Sequence, residues 1–578
     1  MQVLQDFHKT PALIVGLVIS LTACSEGQRT PRVTAQAVSQ TEALLTDAAL
    51  TEAAFLPEVT SRLGLDENLL PTAKSRLSDI SQAAFERQRL LRLDLSTRLG
   101  QAPFLPDDHP LARDLLITRL ALRDLINLQT SGKGHLSLSK VRPHTVDPFS
   151  GLWLEGPQTL IRDHIIETPE DAERYILRMA ALADGLHDTR RRLIADAATG
   201  HLPPRDLLSA TRERLQSLLD TDAFEAIPVT LETFSMNIPA AETGDHEARM
   251  QTAREIFETD MLPAYADLLQ TLSGMETQAP IPLGLWTQPG GVTLYRDLVH
   301  MHADPTTDVD ALWPDLTAIL STSPIPPTPE DQASSEEGEP KSETDAESVS
   351  ARLAQIAPGL FARRADPLTI IPETGLQRLI ARYDNRRPAM LEYNPIQISL
   401  LPQPLQSDIL SAPYLDAARI YDAAIDPAAR RSIVRAYIQD DSFKRAWQSY
   451  YTRSRNAGAG REQALQLYQA TLAKADIGLH TKRWSTERTQ TFLTETAGFS
   501  PTFAKDVTLR LAANPGHAVG VHVHFERFRS LEARARQVLG TRFDASAFYA
   551  ALLSDGPRPL TLVERDVEAW YEAQIDTP

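Results

Sequence analysis

The sequence predicts a mainly α protein, a large helical domain with a small β ribbon, and three observations predict it. Apolar residues recur at helical spacing along most of the 578 residues. Capping residues and Pro-Gly signals punctuate those stretches where helices should start and stop. Strand-like runs are confined to one short region.

Taken in order, the chain opens with Lys9 and the apolar run Pro11–Leu21, closing on Leu21-Thr-Ala-Cys24. The run is too short to span a bilayer permanently, and small residues lead into the chain's single cysteine. This is the pattern of a lipoprotein signal peptide over 1–23, with lipid attached at Cys24. Residues 24–45, polar and small, read as a tether, and 46–578 as one domain. With a lone cysteine, disulfides cannot stabilise this exported chain.

Leu111, Leu115, Leu122 and Leu125 define one face of a helix. Thr168 is the N-cap of a second, with Pro169 in its first turn, Asp171 answering the cap and Gly200 stopping it. Residues 323–350 are rich in Pro, Ser and Glu, with Lys341 as the single cation, and read as a disordered acidic insertion. Leu368–Ile371, Met390–Tyr393 and Gln397–Leu401 supply the ribbon. Ser485 opens a helix ending near Gly498, and Ser500-Pro501 opens another that stops before Asn514-Pro-Gly516. A net charge of −18 argues against nucleic acid as a partner.

Asp476-Ile-Gly-Leu-His480, Arg483-Trp-Ser485, Arg510, Pro515-Gly516, Leu539–Asp544, Phe548-Tyr549 and Gly556–Leu560 stand in a definite order, with Gly291 and Tyr295 upstream. In that order they resemble the bacterial domain-of-unknown-function family eight-eight-five, whose members look like zinc metallopeptidases. The resemblance implies a helical metallopeptidase-like scaffold and the motif His-Glu-x-x-Pro-Gly-His followed by Glu-Gly-Trp-Ala-x-Tyr. Such a site needs two imidazoles and a carboxylate on the ion, plus a glutamate to take a proton from bound water.

None of the fourteen histidines begins that motif; only His246 is followed by Glu, and no histidine follows at metal spacing. The family pattern places Ala423, Ala424 and Ala429 where both histidines and the base would stand, with Pro427 kept. It places Arg445 at the third ligand, with Trp447 and Tyr450 kept. Methyl groups have no lone pairs to offer, and neither has a guanidinium. The expected function is therefore a lipid-anchored envelope pseudopeptidase with a degenerate zinc site and no cofactor, binding a peptide or protein partner. Trp447, Tyr450, His480, Arg510 and His517 are its candidate cleft lining, and its expected location is the outer membrane facing the periplasm.

Two alternatives stand beside it. One is an active metal-dependent hydrolase whose zinc is held by His517, His480 and Asp422 or Asp426. The other is a structural envelope scaffold with a filled cleft. On a helix, His517 and His524 share a face about 10.5 Å apart, too far for one ion. His300-Met-His302 with Asp304 reads as a solvated helix end.

Overall fold

Alternating burial along the helices follows the predicted apolar period. The computed structural model describes residues 33–66, 68–220, 227–228, 231–232, 246–322, 369–372, 380–384, 387–393, 417, 432–455 and 459–575. The signal segment, Cys24, the acidic insertion, Gln397–Leu401 and positions 422–429 lie outside them.

The first helix, α1 (Ala35–Phe55), begins inside the span predicted as a tether. Thr34 caps it by accepting the Ala37 N–H at 3.1 Å, and Ala37, Thr41 and Leu45 are buried. Their four-residue spacing lays a face of small side chains against the core, which composition alone reads as flexible chain. Arg92 of the helix Gln82–Gly100 makes a fully buried two-point ion pair with Glu52 of α1, at 2.8 and 2.9 Å.

Next, α2 (Pro110–Ser131) buries Leu111, Leu115, Leu122 and Leu125, the predicted face. A two-stranded antiparallel hairpin, β1 (His135–Leu136) and β2 (Val141–Arg142), follows it and was not foreseen, because two-residue strands carry no alternation to read. Then α3 (Pro169–Ala198) starts on the predicted capping box: Thr168 accepts the Asp171 N–H at 3.2 Å while Asp171 accepts the Thr168 N–H at 3.1 Å.

The long second half of the core is built on α4 (Gly291–His302), α5 (Asp441–Arg455), α6 (Ala459–His480), α7 (Thr486–Ala497), α8 (Pro501–Ala513), α9 (His517–Leu539) and α10 (Leu560–Ile575). Ser485 and Ser500 cap α7 and α8 as predicted, and α7 ends on Gly498 in the left-handed region. The expected ribbon is a three-stranded mixed sheet. In it β3 (Thr369–Pro372) pairs in parallel with β5 (Arg387–Tyr393), and β4 (Ile380–Asp384) pairs antiparallel to β5. Thr369–Ile371 and Met390–Tyr393 thus sit in strands, while the β4 strand was missed and Leu368 lies outside the described residues. Among the described residues no helix is long and apolar enough to cross a membrane.

Candidate functional site

Of the residues that carry the family resemblance, Asp476, His480, Tyr295 and Gly516 come together where α4, α6 and α9 meet. Asp476, fully buried on α6, accepts the Gly516 N–H with both carboxylate oxygens, at 3.0 and 3.2 Å. It thereby supplies the cap that α9 lacks locally, since Gly516 has no side chain to offer. Burial pushes the Asp476 carboxyl up to about 7, although backbone N–H groups of Gly516, Val519 and Ala518 pull the other way.

Gly516 is left-handed at φ 83°, and a Cβ there would lie 2.9 Å from the Val299 nitrogen. Only glycine lets α9 start this close to α4. One turn on, a Cβ at Gly520 would fall 2.3 Å from the His302 carbonyl oxygen.

His480 is fully buried one turn beyond Asp476. Its Nδ1 accepts the Leu285 N–H and its Nε2–H donates to the Leu511 carbonyl, both at 3.1 Å. Its ring stacks on Tyr295 at 5.0 Å. Burial drives its pKa down to about 3, so it is a neutral tie between three chain segments. It lines no cleft and has no lone pair left for an ion, which removes one ligand from the alternative set of His517, His480 and Asp422 or Asp426.

Trp447 and Tyr450 are likewise fully buried. Trp447 donates its indole N–H to the Ala417 carbonyl at 2.8 Å, and Tyr450 donates to Glu532 at 2.6 Å. Both pack among Tyr451, Phe528, Phe548 and Tyr549, so the expected lining is core. Arg510 is engaged separately: it donates to Asp506 at 2.6 Å and lies over the Phe149 ring at 4.4 Å, as does Arg214.

Arg445 and His517 do come together. His517 Nε2 is 3.0 Å from Asp441, and Arg445 Nε is 3.5 Å from the same carboxylate oxygen. Asp440 caps α5 by accepting the N–H groups of Ser442 and Phe443 at 2.9 and 3.2 Å. Ser442 in turn donates to Asp440 and to the His302 carbonyl.

The sequence reading missed two members of this junction. His302, expected at a solvated helix end, is 8% exposed and meets the His517 ring edge-on at 5.5 Å. Burial, then His517 and Arg142, hold its pKa well below the ordinary histidine value. Arg142 reaches in from β2, with Nη1 3.5 Å from the Ala513 carbonyl. A two-residue strand gives no sequence signal that its arginine belongs to a site.

A peptidase zinc does not fit what is described. Among the described residues no group of three His, Cys, Asp or Glu is placed to hold a metal ion. Arg445 is permanently cationic and offers no lone pair. Ala423, Ala424, Ala429, Asp422 and Asp426 lie outside the described residues.

The site thus sits in a mainly helical scaffold at a junction of helix ends. By sequence, the profile of a family described as "Bacterial protein of unknown function (DUF885)" matches residues 57–313 and 453–567, more than half of the chain. The chain belongs to that family. Both stretches aligned with the peptidase pattern, 423–429 and 445–450, fall between the two matched ranges.

No curated protein matches the chain. Two solved structures are similar in fold. The crystal structure of a candidate lipoprotein from Colwellia psychrerythraea superposes with a TM-score of 0.74 at 17% identity, over 93% of this chain and 100% of that one. A candidate lipoprotein of unknown function from Shewanella oneidensis superposes with a TM-score of 0.57 at 13% identity, over 92% of this chain and 99% of that one.

Proposed function

We propose that this is a lipid-anchored envelope protein that binds a peptide or protein partner without hydrolysing it. Attachment is through Cys24 after removal of residues 1–23, with the outer membrane facing the periplasm as its location. Ser25 supports that location, because no acidic residue follows the cysteine directly as an inner-membrane retention signal. The lipoprotein descriptions of the two structural neighbours support the anchor.

The observation that carries the non-hydrolytic reading is Arg445 beside Asp441. Where the peptidase pattern calls for the third metal ligand, a carboxylate, a guanidinium lies 3.5 Å from an aspartate that it neutralises. With His480 tied to two backbone groups, no imidazoles and carboxylates among the described residues assemble to hold a water-activating ion.

Two measurements test this. Metal analysis of the purified mature chain is expected to find no stoichiometric zinc, and peptide mixtures are expected to remain intact over long incubation. Stoichiometric zinc with chelator-sensitive cleavage overturns the reading. For the anchor, Cys24→Ser is expected to move the protein from the membrane to the soluble envelope fraction; unchanged membrane attachment overturns that part.

A further inference from the structure

We propose that the junction of β2, α4, α5 and α9 is a carboxylate-binding site, with Arg142, His302 and His517 as its donors. This rests on the reading of the chain as a binder, and it names the chemistry recognised.

Arg142 is the first reason. It is partly buried, and among the described residues no carboxylate lies within ion-pair distance of it. Its Nη1 reaches the Ala513 carbonyl only at 3.5 Å, and its buried Nε has no hydrogen-bond partner among the described residues. A guanidinium drawn out of water without an anion is costly unless something negative completes it.

Two acids of this junction are already engaged. Asp441 is shared by His517 and Arg445, and Asp440 is consumed in capping α5.

His302 is the second reason. It is 8% exposed, and its Nε2 also lacks a partner among the described residues. As a neutral imidazole in the Nε2–H form it donates without adding charge. Asn514 adds a third buried, unpartnered atom, its side-chain oxygen. The amide can be turned to present N–H at that position instead.

The first turns of α5 and α9 both open here, but Asp440 and Asp476 already take N–H groups at these two helix starts, so side chains are left as the donors. His302, nine-tenths buried with an unpartnered Nε2 among the described residues, stands edge-on against His517 at this point.

A guanidinium beside imidazole donors suits a planar monoanion, which it can grip by two parallel N–H bonds. Asp440 and Asp441 nearby disfavour a more highly charged anion. A peptide C-terminus and a small acid both present this carboxylate, and the same donors bind either.

Calorimetric titration of the full mature chain with N-acetyl-trialanine as free acid, with its C-terminal amide, and with acetate tests the site. The free acid is expected to bind at least tenfold more tightly than the amide. Acetate binding as tightly as the free acid supports the site and assigns it to small acids; weaker acetate binding assigns it to peptide ends. Arg142→Gln is expected to weaken the acid at least tenfold and to erase the preference over the amide.

Should Arg142→Gln fail to fold, His302→Gln carries the same expectation, and the wild-type comparison needs no variant. Equal binding of acid and amide, no binding of acid and acetate, or full affinity in a folded Arg142→Gln protein overturns the site. Zinc-dependent cleavage of the probe overturns the non-hydrolytic reading instead, and acid-over-amide preference then still decides the site.

Discussion

Two polar clusters lie on either side of α9's first turn, and they differ in how completely their groups are used. Around Asp476 and His480, the carboxylate receives the Gly516 N–H on both oxygens, and both imidazole nitrogens bond to backbone. Around His302 and Arg142, buried nitrogens have no partner among the described residues. The first cluster holds the residues that look most like a family signature, yet its hydrogen bonds tie helices together. The second was nearly invisible in the sequence, and its donors remain unspent. Buried polar groups that are satisfied internally build architecture; those left unsatisfied mark where something else must come.

Acid gives the largest expected effect. Burial drives His144, His164 and His480 to about 3 and His522 to about 4. Unfolded, each would take a proton below about 6.5. Below that pH the unfolded chain binds protons that the folded chain refuses, so stability is full above it and falls as the pH drops.

Asp476 runs the other way. Its carboxyl, pushed up to about 7, keeps a proton in the folded chain that the unfolded chain releases above about 4. Chemical denaturation followed from pH 7.5 to 4.5 is expected to show a steady loss of stability, steeper in Asp476→Asn. A flat profile would contradict the buried, neutral state of these histidines.

Trp447→Ala comes next, with a loss of about 3–5 kcal/mol for an aromatic deleted from a packed core. Denaturant midpoints measure it. A change below about 0.5 kcal/mol would return Trp447 to the exposed lining that the sequence suggests.

The smallest effect belongs to the unspent cluster. Arg142→Gln removes a cation that has no carboxylate partner among the described residues, so stability is expected to stay within about 0.5 kcal/mol or to rise. A loss above about 2 kcal/mol would show that Arg142 is satisfied within the fold.

Much of the fold was legible because its signals are local. Thr168, Asp171 and Gly200 mark a helix through groups within one turn of each end, and the structure has the capping box. The leucine face of α2 follows from a periodicity that any helix enforces. The start of α1 was not legible, since alanine and threonine bury as readily against a core as they solvate a tether.

The junction was not legible either. It depends on Arg142, His302, Asp441 and His517, brought from four elements whose contacts no local pattern encodes. Composition could show that the zinc motif is absent, but not that His480 is tied on both nitrogens. That required seeing Leu285 and Leu511 beside it.

The two clusters are compared most directly by melting His480→Ala and His517→Ala side by side with the wild type at pH 7. His480→Ala orphans the Leu285 N–H and the Leu511 carbonyl and is expected to lose about 1–3 kcal/mol or more. His517→Ala gives up a half-exposed contact with Asp441 and is expected to lose less than about 1 kcal/mol. Equal losses, or the reverse order, would contradict the division between structural and binding residues.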